Sequence, residues 1–190
     1  MQLRMHNDHT LISPTAAAGR DHQTQHKILA REELAIEVLR RQQEGEHGVF
    51  TNGCFDLLHL GHIRYLQEAR ALGDFLVLGL NDDAGVRLLK GQERPLVPEA
   101  ERAEMLAALT CIDYITIFAE PTAGPLIALL QPAIYVKGGD YASAQSNIPD
   151  TDRLPEAKIV QAYGGIVRLI PYLPYHSTTE LIKVIKRLPE

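Results

Sequence analysis

Five short runs rich in β-branched and aromatic residues recur along this chain, each followed by a segment with helical spacing. The runs are GVFT at 48–51, FLVLGL at 75–80, DYITIF at 113–118, AIYV at 133–136 and IVRLI at 166–170. Apolar residues at helical intervals predict helices near 29–45, 61–72, 84–89, 99–109, 125–130, 156–163 and 179–188. A helix between two strands carries the chain back along the sheet, so successive strands run parallel and bury both faces. The alternation therefore predicts an α/β fold with a doubly wound, five-stranded parallel sheet. A strand order of 3-2-1-4-5 places its switch point between the first and fourth strands.

Rossmann-like sheets of this kind bind ligands beyond the carboxyl ends of their strands, at the switch point. The residues just after each strand are thus where function is to be sought. The repeating pattern occupies residues 28–190, read as a single domain. Residues 1–27 hold four of the eight histidines (His6, His9, His22 and His26) with little aliphatic periodicity, and read as a flexible extension. Nineteen Lys+Arg against 24 Asp+Glu give a net charge of −5 over 190 residues, which argues against a coat for nucleic acid or anionic membrane. No run of eighteen apolar residues occurs and the start lacks an apolar signal core, so a cytoplasmic location is expected. Cys54 and Cys111 form no CxxC pair and no disulfide framework.

The stretch after the first strand, Thr51-Asn52-Gly53-Cys54-Phe55-Asp56-Leu57-Leu58-His59-Leu60-Gly61-His62, carries most of the chemistry. Gly53 allows a tight turn and close backbone approach, so neighbouring amides can face a phosphate. The helix starting near Leu60 directs free N–H groups and a positive dipole end at the same place. His59 and His62 stand three apart over that first turn, with Gly61 keeping the helix mouth open. Two imidazoles there suit a phosphate whose charge grows during displacement. The plainer reading is two surface histidines at a helix start. Cys54 near a helix N-terminus has the setting of an activated thiol, but phosphoryl displacement needs no covalent step, and that role is rejected.

Other stretches carry paired readings. Asp82 and Asn81 suit an N-cap. Lys90 ends a predicted helix, where it complements the dipole. Arg94 and Arg102 are weaker candidates for phosphate or substrate contact, as is Asp56, and either arginine would otherwise pair with Glu93, Glu99 or Glu101. Lys137-Gly138-Gly139-Asp140 follows the fourth strand and should face the His59/His62 loop across the crevice, where two glycines admit a base or ribose. Ser177-Thr178-Thr179 caps the closing helix.

Together these motifs resemble the cytidylyltransferase-like nucleotidyltransferase superfamily, whose signature is G-x-F-D followed by H-x-G-H after the first strand. TNGCFDLLHLGH is similar to one branch, the adenylyltransferases acting on D-glycero-D-manno-heptose 1-phosphate. Leu88-Leu89-Lys90-Gly91, Arg94-Pro95, Glu101-Arg102, Val136–Tyr141, Gly164-Gly165 and Ser177–Thr179 extend the resemblance over nearly all of residues 27–188. It implies transfer of AMP from ATP to a sugar 1-phosphate, with pyrophosphate released. His59, His62 and Lys90 would be catalytic. Asn52, Gly53, Cys54, Phe55, Gly61, Lys137, Gly138, Gly139, Asp140, Ser177, Thr178 and Thr179 would bind the nucleotide. Mg²⁺ would bridge the ATP phosphates without a protein cage. The resemblance also implies a homodimer, a pathway kinase on a separate protein and a product used in cell-envelope glycans. Pro174-Tyr175-His176 precedes the serine where related cytidylyltransferases carry Arg-Thr-x-Gly-Ile, a departure that disfavours CTP. A cytidylyltransferase acting on a polyol or alcohol phosphate and a catalytically silent nucleotide-binding regulator are the competing readings. A redox dinucleotide domain is more distant, because G-x-G-x-x-G is missing.

Overall fold

A computed structural model of the chain describes residues 24–139, 153–171, 173 and 177–188. The strands are β1 (Gly48–Gly53), β2 (Phe75–Asn81), β3 (Tyr114–Phe118), β4 (Ile134–Gly138) and β5 (Ile166–Ile170). The helices are α1 (Arg31–Gln43), α2 (Leu60–Arg70), α3 (Asp83–Lys90), α4 (Glu99–Ala107), α5 (Gly124–Leu130), α6 (Glu156–Ala162) and α7 (Thr178–Ile185). All strand pairs are parallel, as the alternation predicts, and the order is β3-β2-β1-β4-β5, the order expected.

Each sheet face has its own apolar layer. Leu34 and Val38 of α1, Leu126 and Ile127 of α5 and Ala157 and Val160 of α6 pack on Phe50, Phe75, Val77 and Tyr135. Leu66 and Ala69 of α2 and Ala103 and Leu106 of α4 pack on Val49, Leu76, Leu78 and Val136. Strand residues two apart share a face, so β2, buried along its whole length, serves both layers. Each fully buried aliphatic or phenyl group contributes about 1.5–3 kcal/mol. The crossovers after β1 and β2 lie on one face and those after β3 and β4 on the other. That reversal leaves a crevice between the carboxyl ends of β1 and β4.

Two strands run two residues beyond the end the sequence predicts. β1 continues through Asn52 and Gly53, and β4 through Lys137 and Gly138, because their ladders run on: Asn52 opposes Gly79, Gly53 opposes Leu80, and Lys137 opposes Leu169. Asn and Gly are weak strand formers, and here the neighbouring strands override them. The packed unit also reaches further back than Ile28. Lys27 Nζ donates to the Leu109 and Ile112 carbonyls at 3.1 and 2.8 Å, and Leu29 N–H donates to the Ile115 carbonyl at 2.9 Å, covering part of the β3 edge. The rest of the expected extension, residues 1–23, lies outside the described residues, as do residues 140–152. Among the described residues no helix is long and apolar enough to cross a membrane.

Candidate active site

The loop leaving β1 is held by its own chain. Phe55 takes a left-handed backbone conformation, φ 45°, which costs a bulky residue on the order of 1–3 kcal/mol. Its side chain is buried and meets the His62 ring at 5.2 Å between centroids. A Cβ on Gly53 would sit 3.0 Å from the Phe55 ring, so glycine is what lets that ring fold back. The close approach expected at Gly53 is thus, within the protein, an approach to Phe55.

Asp56, with 3% of its surface exposed, accepts from the Leu96 and Val97 amides at 2.7 and 3.0 Å and pairs with Arg94. Arg102 is fully buried. It donates to the carbonyls of Cys54 (2.6 Å), Asn81 (3.0 Å) and Val97 (2.9 Å) and pairs with Asp83 at 2.7 Å. The glutamates named as alternative partners take neither arginine here, since Asp56 and Asp83 lie closer in space. Glu99 instead accepts from the Asp83 amide at 2.7 Å. Arg102 has no surface to offer a ligand in this structure; it fastens the carboxyl ends of β1 and β2 to each other.

α2 opens directly on this loop. His59 is its N-cap, and both its carbonyl and its Nδ1 face the His62 amide, at 2.9 and 3.4 Å. The two imidazoles stack with centroids 3.8 Å apart and planes 21° from parallel. Burial first, and then the charge of His59, hold the His62 pKa down at about 4, and its Nδ1 is buried without a hydrogen-bond partner among the described residues. His62 is therefore neutral at pH 7 and carries a single N–H rather than a charge.

Cations converge on the same loop. Lys90, exposed at the end of α3, exerts the largest favourable charge effect on the Cys54 thiol, ahead of Arg102 and Lys137. Burial outweighs all three and pushes that thiol up, consistent with a structural cysteine. Lys137 Nζ reaches across from β4 to the Asn52 carbonyl at 3.2 Å and to Asn52 Oδ1 at 3.4 Å. The Tyr135 hydroxyl donates to Asn52 Oδ1 at 2.9 Å. Gly139 follows β4; a Cβ there would lie 3.5 Å from Pro171 Cα. Pro171 in turn lines a cavity of about 330 Å³ that reaches Gly61, Arg64 and Tyr65. Gly138 is buried at the end of β4. Asp140 and His176 lie outside the described residues.

The third wall is α7. Ser177 caps it by accepting from the Glu180 amide at 3.2 Å, and Thr178 Oγ1 donates to the Leu57 carbonyl at 3.4 Å. Thr178 thereby joins α7 to the loop before His59, and exposed Thr179 follows in the first turn. Asp82 caps α3 by accepting from the Gly85 amide at 2.6 Å, as its position after β2 suggests.

Sequence reasoning missed Tyr65. Its hydroxyl lies 2.7 Å from Thr51 Oγ1 and donates to the Val136 carbonyl at 3.0 Å, bolting α2 onto β1 and β4 under the histidines. Its spacing from His62, three residues on the same helix, was the available signal. Among the described residues no group of three or more His, Cys, Asp or Glu side chains is placed to hold a metal ion.

Known proteins resemble this arrangement. The bifunctional protein HldE of Pelobacter propionicus is 48% identical over 178 residues, covering 93% of this chain and 34% of that protein. HldE of Syntrophotalea carbinolica is 53% identical over 161 residues, 84% of this chain and 31% of its own length. The chain thus spans about a third of the length of these relatives. A crystal structure of the lipopolysaccharide core biosynthesis protein from Thermoplasma volcanium superposes with a TM-score of 0.53 at 26% identity, covering 70% of this chain and all of the other. The Cytidylyltransferase-like family model matches residues 50–184, from β1 into α7. With the sheet order, the strand-one loop and the paired histidines in place, the chain belongs to the cytidylyltransferase-like family and is a nucleotidyltransferase.

Proposed function

We propose that this chain transfers AMP from ATP to a sugar 1-phosphate, D-glycero-D-manno-heptose 1-phosphate in particular, giving an ADP-sugar and pyrophosphate. The observation that carries the reading is the stacked His59/His62 pair at the α2 N-terminus, with Thr178 holding the start of α7 to the same loop. The adenylyl and heptose assignments draw support from the TNGCFDLLHLGH string, from relatives named HldE, and from a structural neighbour titled a lipopolysaccharide core biosynthesis protein.

An oxygen of the acceptor phosphate attacks the α-phosphorus of ATP in line. The bond from that phosphorus to the oxygen bridging to the β-phosphate breaks, and pyrophosphate leaves with the electron pair. Catalysis is then positioning and charge stabilisation. His59 and His62 donate to the triphosphate, Lys90 adds charge as it builds, and the Cys54 and Phe55 amides orient the α-phosphate. Asn52 and Gly53 shape the loop, and Gly61 leaves the helix mouth open to the nucleotide. Lys137, Gly138, Gly139 and Asp140 border the nucleoside, with Ser177, Thr178 and Thr179 on the outer phosphates. The donor set around the histidines fits a triphosphate rather than a bare cation, so Mg²⁺ arrives on ATP. Once bound it neutralises phosphate charge.

Residues 28–190, with Lys27 packed onto them, act as one catalytic domain, and the sugar kinase activity belongs to polypeptide outside these 190 residues. The test is pyrophosphate release with ATP or CTP against a panel of sugar 1-phosphates and polyol phosphates. The expected outcome is turnover with ATP and the heptose 1-phosphate. Preferential turnover of CTP with a polyol phosphate, or ATP binding with no release on any acceptor, overturns the reading.

A further inference from the structure

A second cavity, of about 150 Å³, opens at the carboxyl ends of β2 and β3, lined by Asn81, Gly85, Leu88, Leu89, Ala119 and Glu120 among others. It adjoins the site described above. The Arg102 Nη1 that donates to the Cys54 carbonyl also donates to the Asn81 carbonyl, so one guanidinium separates the strand-one loop from the cavity wall. Leu88 and Leu89 immediately precede Lys90 on α3.

Glu120 is the chemically distinctive part of this wall. One carboxylate oxygen is held by Arg31 of α1, the Glu120 and Ala119 amides lie toward the carboxylate, and buried Oε2 completes no hydrogen bond among the described residues. The Arg31 guanidinium keeps the carboxyl ionised by lowering its pKa. An ionised carboxylate only accepts hydrogen bonds, and a buried acceptor left unpaired is costly. Oε2 therefore calls for a donor and repels phosphate. The volume is too small for a nucleoside and lacks an aromatic platform. A hydroxyl-bearing carbon chain fits both the volume and the acceptor.

We infer that Glu120, positioned by Arg31, binds a hydroxyl of the acceptor's sugar carbons distal to the phosphate, and so sets which sugar 1-phosphate is used. This rests on the sugar 1-phosphate reading above. With its hydroxylated end against Glu120, the acceptor presents its phosphate toward Lys90 and the histidines. The carboxylate penalises the reversed pose, in which phosphate would meet it.

The test compares D-glycero-D-manno-heptose, D-mannose and D-lyxose 1-phosphates, which lose one exocyclic carbon at each step. Steady-state kinetics with ATP are measured for wild type, E120Q, E120A and R31Q. Wild type should prefer the longer acceptors. E120A should raise KM for the heptose compound about tenfold or more, in line with loss of a charged hydrogen bond. E120Q should raise it less, and lyxose 1-phosphate should be nearly unaffected by either change. R31Q should act in the same direction as E120A, with rescue by R31K. KM for ATP should stay unchanged throughout, which a merely structural lesion would not allow. If wild type turns over sugar 1-phosphates but E120A retains the wild-type preference, or changes all three acceptors equally, this inference falls alone. If wild type turns over none of the three, the sugar 1-phosphate reading falls with it.

Discussion

Lowering the pH should destabilise this protein through His62 in a way that one substitution removes. The ring lies between Phe55 and His59, and burial, reinforced by the His59 charge, holds its pKa at about 4 against an ordinary 6.5. Unfolding frees the ring to take up a proton at the ordinary value. Between the two values the unfolded state binds more protons, so stability rises with pH. The contribution is complete above 6.5 and is lost as pH falls through that window toward 4. At about 1.4 kcal/mol per pH unit, the whole displacement amounts to about 3 kcal/mol. Urea unfolding of wild type and H62Q at pH values spanning the window measures it. Wild type should lose about 3 kcal/mol more than H62Q between neutral pH and pH 4. Stability curves that run parallel across that range would refute the reasoning, and with it the neutral state of His62 in the folded protein.

Three further outcomes follow from the geometry. R102M leaves three carbonyls and Asp83 without their buried donor, and should cost about 3–5 kcal/mol and lower Tm by on the order of 10 °C; a loss below about 1 kcal/mol would be inconsistent with the buried role. C54A should keep near-normal turnover and C54-intact enzyme should resist iodoacetamide at neutral pH, because burial holds the thiol protonated; rapid inactivation on alkylation would argue otherwise. K90A should fold with an unchanged melting profile, since the side chain is exposed, yet lose about 10²-fold or more in kcat; unaltered kcat would remove Lys90 from catalysis.

Two helix starts were legible in the sequence: Asp82 and Ser177 each cap a helix where chain-local hydrogen bonding requires it. Parallel order was legible because helices alternate with strands. The arginines were not legible. Which carboxylate an arginine meets depends on neighbours brought together from distant segments. Arg102 found Asp83 and two strand-end carbonyls rather than the glutamates beside it in sequence.

The sequence by itself determined the strands, the helices between them and the loop that carries His59 and His62, because periodicity and capping act over a few residues. Tertiary structure alone decided that His62 is neutral, that Arg102 and Asp56 are spent on holding loops, and that Glu120 Oε2 has no hydrogen-bond partner among the described residues. Burial and long-range pairing set protonation and free hydrogen-bonding capacity, and neither is a property of residues near one another in the chain.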